Sequence, residues 1–272
     1  MVRSLWSGAT GMNAQQMNVD TIANNLANVN SAGYKAQVTQ FKSLLYQNLR
    51  SATTTANGDP KPTTSQVGLG VRTSSINSIF TQGSLLDSES DTAFAIEGHG
   101  FFGVRGEDGV TYYTRNGDFT WAIGTNGGMT LTTADGLPVL DAEGRAIALS
   151  RDYIASKLSI REDGQICYPD GQNNPQPIGV TIGTFQFNNP GGLRRIGNTL
   201  FAETNASGRA LNEDTTDGVE KSRIVQGYLE GSNVQVANEM VNLIVAQRAY
   251  EMNSKSITTS DSMLEVANNL KR

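Results

Sequence analysis

The side chains that could carry chemistry are few and stand apart. His99 and Cys167 are each the sole residue of their type, which excludes a multi-histidine metal site and an intrachain disulfide. Gly98-His99-Gly100-Phe101-Phe102 reads as a glycine-rich strand entrance with His99 partly exposed. Cys167 sits in the strand-like Gln165-Ile166-Cys167-Tyr168, where cysteine behaves as a small buried hydrophobe. Asp87, Glu89 and Asp91 alternate as metal ligands might, but the glycine and terminal glutamate of a calcium loop are missing, so a solvated acidic turn is the better reading. The same turn would serve a carbohydrate-binding or carbohydrate-cleaving β protein only with paired carboxylates in a cleft. Gly68-Leu69-Gly70 lacks the third glycine and following helix of a dinucleotide loop. Asn205-Ala206-Ser207 fits a glycosylation sequon that short sequences produce by chance. No catalytic residue, cofactor site or metal site is expected, and the chain does not read as an enzyme.

Attention therefore shifts to the elements themselves. The 272 residues can bury a sizeable core, and 29 glycines favour many tight turns. A net charge of −5 without a lysine or arginine run gives no support to a nucleic-acid or anionic-membrane surface. No apolar run approaches the roughly eighteen residues of a membrane span. The start, Met1-Val2-Arg3-Ser4-Leu5-Trp6, lacks the apolar core and cleavage site of a secretory signal. Passage out of the cytoplasm would need a route that leaves it uncleaved.

Both ends repeat every seven residues. Leu5, Met12, Val19 and Leu26 do so near the start, with Ala9, Ile22, Ala23 and Val29 on the same side. Val236, Leu243, Tyr250, Ile257 and Leu264 do so near the end, with Met240, Ile244 and Ala267 beside them. A seven-residue repeat keeps one helix face aimed at a partner, as in a coiled coil. A helix is predicted over 3–30, weakened by Gly8 and Gly11 and closed by Asn30, Ser31 and Gly33. Another is predicted from an N-cap at Ser232 or Asn233 to Leu270, with Glu251 and Lys255 paired outside. The longer last helix overhangs the first, and its stripe at Ile257, Met263, Leu264 and Leu270 needs another copy of the chain as cover. Such an offset contact grows into a ring or an open helical filament.

Between the helices the period falls to two. Ala93–Ile96, Phe101–Val104, Thr111–Thr114 and Thr181–Phe185 read as strands, separated by Asp-Gly and Asn-Gly pairs that supply hairpin turns. The fold class is α+β: terminal helices pairing as a coiled coil around an all-β middle domain. The divisions expected are 1–72, an axial helix and extended arm; 73–226, the β domain; and 227–272, the second axial helix. Phe41, Leu44, Leu45 and Leu49 are spaced for one or two helical turns, and 51–65 turns to Thr, Ser, Ala, Asn and Pro, as in a mobile loop or contact arm.

Asn13, Asn18, Asn24, Asn25, Asn28 and Asn30, with Gln15 and Gln16, crowd the first helix. They describe a weak helix held by tertiary packing, an interface where amides pair with neighbouring subunits or line a wet channel, or both.

Three motifs carry a resemblance. Asn24-Asn25-Leu26-Ala27-Asn28 running on to Gly33-Tyr34-Lys35 is the first. The second is Gly227-Tyr228-Leu229-Glu230-Gly231-Ser232-Asn233-Val234, continuing through Glu239-Met240-Val241 to Gln247-Arg248-Ala249-Tyr250-Glu251. The third is Gly100-Phe101-Phe102 with Tyr113-Thr114-Arg115-Asn116-Gly117-Asp118-Phe119. Together they resemble the bacterial flagellar rod and hook proteins over nearly the whole chain, and the length and arm are most like the distal-rod members.

That resemblance implies a structural subunit of the basal body, exported unfolded with an uncleaved N-terminus and assembled in the periplasm. It implies a rigid helical tube that transmits torque and encloses the export channel. The expected partners are further copies of the chain, other rod and hook subunits, the rings around the rod and the export apparatus. A hook subunit or second rod paralogue is the alternative. Assembly is expected to use Leu5, Met12, Val19, Asn24, Asn25, Leu26, Asn28, Val236, Met240, Leu243, Gln247, Tyr250, Ile257 and Leu264 on the helices. The arm is expected to contribute Tyr46, Gln47, Asn57, Pro60 and Pro62 between subunits.

Overall fold

The computed structural model describes residues 2–50, 65–124, 128–172, 174–216 and 218–270. It shows an N-terminal helix, a mostly β middle and a C-terminal helix. The chain divides into two compact units. One comprises Met1–Ala27, Gln37–Ser78 and Gln235–Arg272; the other comprises Asn28–Ala36 and Ile79–Val234. Within the second unit, Tyr34 and Ala36 of segment 28–36 pack with Val234.

In the helical unit, α1 is Val2–Ala27, and the chain then returns as two antiparallel strand pairs. β1 (Gln37–Ser43) pairs with β4 (Val71–Ser78), and β2 (Tyr46–Arg50) pairs with β3 (Ser65–Gly68). The helical turns expected at Phe41, Leu44, Leu45 and Leu49 are thus corrected to a ribbon: Phe41 lies in β1 and Leu49 in β2. Two-residue alternation and cross-strand pairing outweigh a four-residue apolar set that is too short to nucleate a helix. α2 is Val236–Asn269. At a 1.5 Å rise per residue, α1 is about 39 Å long and α2 about 51 Å. The N-cap of α2 is Gln235, without a side-chain cap bond. Asn233 is engaged elsewhere, as described below.

In the β unit, a six-stranded antiparallel sheet runs in the order Arg194–Gly197, Leu200–Ala202, Thr111–Thr114, Phe101–Arg105, Thr184–Gln186, Leu211–Asn212. Successive side chains of a strand point to opposite faces. Phe102 and Val104 accordingly enter the main core with Phe94, Ile96, Phe119, Leu131, Ile166 and Ile224. Phe101 enters a second cluster with Tyr113, Phe187 and Phe201, where the rings meet edge to face. Asp108-Gly109, Asp135-Gly136 and Asp163-Gly164 place their glycines at φ of 78°, 82° and 81°, as their hairpins require.

Candidate functional site

Among the described residues, the candidate functional sites are surfaces and joints. Among the described residues, no group of His, Cys, Asp or Glu could hold a metal ion. His99 is exposed in the bend after Phe94–Glu97. Cys167 is fully buried in Gln165–Pro169. Asp87, Glu89 and Asp91 are all exposed.

The first surface is the helix pair. Ser4 Oγ lies 3.1 Å from Ser260 Oγ, Gly8 faces Ile257, and Gly11 faces Asn253. As the α1 number rises the α2 number falls, so the helices run antiparallel. A Cβ on Gly8 would stand 2.9 Å from Ile257 Cγ1, and one on Gly11 would stand 2.9 Å from Asn253 Nδ2. The glycines that weaken the helix by propensity are the positions of close approach.

Of the predicted heptad residues, Leu5, Met12, Val19, Leu26, Leu243, Ile257 and Leu264 are half-buried. Of the companions expected on α1, Ile22 is buried. Ala9 and Ala23 are exposed, and Gly8, Ala14, Thr21, Ile22 and Asn25 line the buried side of α1. On α2 the buried companions are Ala246 and Ser260, while Val236, Met240, Ile244 and Tyr250 are exposed. Gln247 is exposed with them. Gln16, Val19, Gln247, Tyr250 and Glu251 line an open groove of about 380 Å³. Glu251 takes Arg248 as its ion-pair partner, at 2.7 Å, instead of Lys255.

The asparagines divide. Asn25 is 1% exposed and forms a reciprocal pair with the Gln37 backbone: Nδ2 donates to the carbonyl at 2.8 Å, and Oδ1 accepts from the N–H at 2.8 Å. Its amide thereby acts as a neighbouring strand would and anchors the start of β1. Asn24 Nδ2 donates to Gln37 Oε1 at 3.3 Å. Thr21 and Thr39 hydroxyls meet at 2.8 Å, closing the same seam. Asn28 Oδ1 accepts from Ser31 Oγ in the turn that follows. The arm residues Tyr46 and Gln47 are exposed in β2 beside exposed Leu45 and Leu49. Asn57, Pro60 and Pro62 lie outside the described residues.

The joint that the sequence did not reveal lies in the β unit, where one charged residue from each of the three motifs converges: Lys35, Arg115 and Glu230. Lys35 Nζ donates to Glu230 Oε1 at 2.6 Å and to the Thr81 carbonyl at 2.8 Å. Arg115 Nη1 donates to Glu230 Oε2 at 3.3 Å, and Nη2 donates to the Gly98 carbonyl at 2.6 Å. Glu230 Oε1 also accepts from Gly83 N at 2.9 Å. All three side chains are at most 1% exposed. Burial pushes Lys35 and Arg115 below their ordinary pKa values, and the Glu230 carboxylate pulls both back up.

Around this triad, Gly33 N donates to the Glu230 backbone carbonyl at 2.7 Å, and the Arg195 guanidinium lies over the Tyr34 ring at 4.8 Å. Asn233 Oδ1 accepts from Ala36 N at 2.7 Å, and its Nδ2 donates to the Ile79 carbonyl at 2.8 Å. That role explains why it does not cap α2. The available signal was a charged residue inside each motif. Recognising the triad needs the knowledge that residues 35, 115 and 230 meet.

Comparison with known proteins matches these segments. Residues 5–35 match the flagella basal body rod protein family. Residues 95–168 match the flagellar hook protein FlgE/F/G D1 domain, and 225–270 match the flagellar basal body rod FlgEFG protein C-terminal family. The chain is similar to the flagellar basal-body rod protein FlgG of Borreliella burgdorferi, with 44% identity covering 100% of both chains. It is also similar to FlgG of Buchnera aphidicola subsp. Schizaphis graminum, with 42% identity over 97% of this chain and 98% of the relative. The Agrobacterium fabrum FlgG is 40% identical over 99% of this chain and 100% of its own length. With such relatives over its whole length, and with rod and hook segments matched at both ends and in the middle, the chain belongs to the flagellar basal-body rod protein family, as a structural axial subunit of the basal body.

Proposed function

We propose that this subunit builds the distal rod, as a rigid helical tube of many copies that encloses the export channel and transmits torque. The observation that carries the reading is α2. Val236, Met240, Val241, Ile244, Val245, Met252, Met263 and Val266 are each more than 40% exposed along one helix. A helix with apolar residues over most of its circumference belongs inside a larger structure. α2 also continues for roughly two turns past the Ser4–Ser260 contact. An overlap of that kind repeats from copy to copy. Heptad positions Leu243, Ile257 and Leu264 against Leu5, Met12, Val19 and Leu26 support coiled-coil pairing of the terminal helices within each copy.

In this reading, residues 1–72 and 227–272 supply the axial layer and 73–226 the outer β layer. The exposed ribbon residues Leu45, Tyr46 and Leu49 bear on a neighbouring copy and stiffen the tube. Assembly takes place in the periplasm, after export without signal cleavage. The tube joins other rod and hook subunits at its ends and is surrounded by the ring proteins. Among the described residues no helix is long and apolar enough to cross a membrane.

Electron microscopy of concentrated protein tests this. Straight tubes with a central channel are expected. Curved tubes would assign the chain to a hook-like role, and particles that stay single at every concentration would overturn the reading. An Ile244→Glu variant should remain monomeric, because a charge would then face the apolar contact.

A further inference from the structure

The Lys35–Glu230–Arg115 cluster has a property independent of whether copies assemble. Two buried cations share one carboxylate, and that carboxylate comes 195 residues after Lys35. The next buried acid near Arg115 is Glu213, whose oxygens are already occupied by Ser222 and Gln186. Removing Glu230 would leave Lys35 the Thr81 carbonyl and Arg115 the Gly98 carbonyl and the Phe101 ring, with no carboxylate hydrogen-bonded to either among the described residues. Removing Lys35 would still leave Glu230 with Arg115 and Gly83 N. The loss is therefore asymmetric, since a buried pair broken at its shared partner strands both charges.

The backbone reinforces the coupling. The strand Tyr228–Glu230 pairs with Leu85–Asp87, and Arg223–Gln226 pairs with Phe94–Glu97. Gly33 to Ala36 are all buried, and a Cβ on Gly33 would lie 2.4 Å from Asn116 N. No slack exists for the segment to sit partly docked.

We infer that Glu230 is the closing group of the β unit: the unit reaches its folded state only when segments 28–36 and 223–234 are both seated on it, and neither detaches while it stays folded. This makes the β unit a check on chain continuity. A chain that has not yet supplied residue 230 stays open and deformable, and the final closure is one cooperative event.

The test uses the full chain. Hydrogen exchange read by mass spectrometry should give peptides from 28–36, 94–104 and 223–234 the same opening equilibrium. Independent, faster exchange of 28–36 over a protected β unit would overturn the inference. Glu230→Gln should lower the folding equilibrium constant about 100-fold or more, against little change for the exposed control Glu97→Gln. Lys35→Met should cost less than Glu230→Gln. Lys35→Met combined with Glu230→Gln should recover at least about tenfold over Glu230→Gln alone, because one stranded charge is gone. A double variant no better than Glu230→Gln, or a Glu230→Gln protein as stable as its parent, would overturn it.

Discussion

The β unit and the helical unit treat their apolar surface in opposite ways. In the β unit Phe94, Phe102, Leu131 and Ile166 are at most 1% exposed, and even its charged triad is sealed inside with its partners. In the helical unit α2 buries only Ala246 and Ser260, while residues as large as Ile244 and Met252 stay exposed. The β unit carries a sealed apolar core, whereas α2 leaves most of its large apolar side chains exposed. A protein that must fold once and then join many copies can divide the tasks this way. In the proposed tube, the core of the β unit supplies stability and the exposed face of α2 is covered by assembly.

The contrast can be broken most forcefully by substitution at matched apolar sites. Phe102→Ala, in the sealed core, should destabilise the β unit by about 4 kcal/mol in urea denaturation. Ile244→Ala on α2 should shift the dilute monomer by no more than about 0.5 kcal/mol, while reducing tube formation. Equal effects on the monomer would erase the distinction between the units.

A sharper version uses two glycines with the same backbone conformation. Gly33 and Gly109 have φ of 68° and 78°. Both pay the left-handed penalty when replaced by alanine, but only Gly33 also meets backbone, at Asn116. Gly33→Ala should cost roughly 3 kcal/mol and Gly109→Ala about 1 kcal/mol, measured by thermal unfolding. Equal costs would show that the seat of segment 28–36 is not close-packed.

The smallest expected effect concerns pH. Burial pushes the Tyr113 phenol up to about 12, with the Glu203 carboxylate adding to the rise. The group is neutral in both states below pH 10, so its stabilising contribution is intact there. Above the unfolded value of about 10 the unfolded chain ionises first, and stability falls until the folded value is passed. On the order of 2 kcal/mol should be lost between pH 10 and about 12, and Tyr113→Phe should remove that component of the slope. An unchanged alkaline slope in the phenylalanine variant would mean that Tyr113 is solvated in the folded state.

Much of this architecture was legible in the chain. The helix from Val2 to Ala27, the long helix ending at Asn269 and the strands at Phe101–Arg105 and Thr111–Thr114 follow from periodicity and turn residues. The family followed from motifs at both ends and the centre. The ribbon at Phe41 and Leu49 was misread because a four-residue apolar spacing fits a helical turn, whereas pairing with Val71–Ser78 and Ser65–Gly68 decided for strands. The role of Asn25 was left open because an amide can face a neighbour or a backbone, and only the return of Gln37 to its side selected the second.

What the sequence determined alone was periodicity, and with it the two long helices and the strands of the β unit such as Phe101–Arg105, since long periodic runs depend on neighbours a few positions away. The tertiary structure decided which face of each helix is covered and which charges are buried together. Lys35, Arg115 and Glu230 are ordinary surface residue types until the chain brings Glu230 within 3.3 Å of both cations. Their energetics are set by exclusion of water and by distance in space, and no local pattern encodes either.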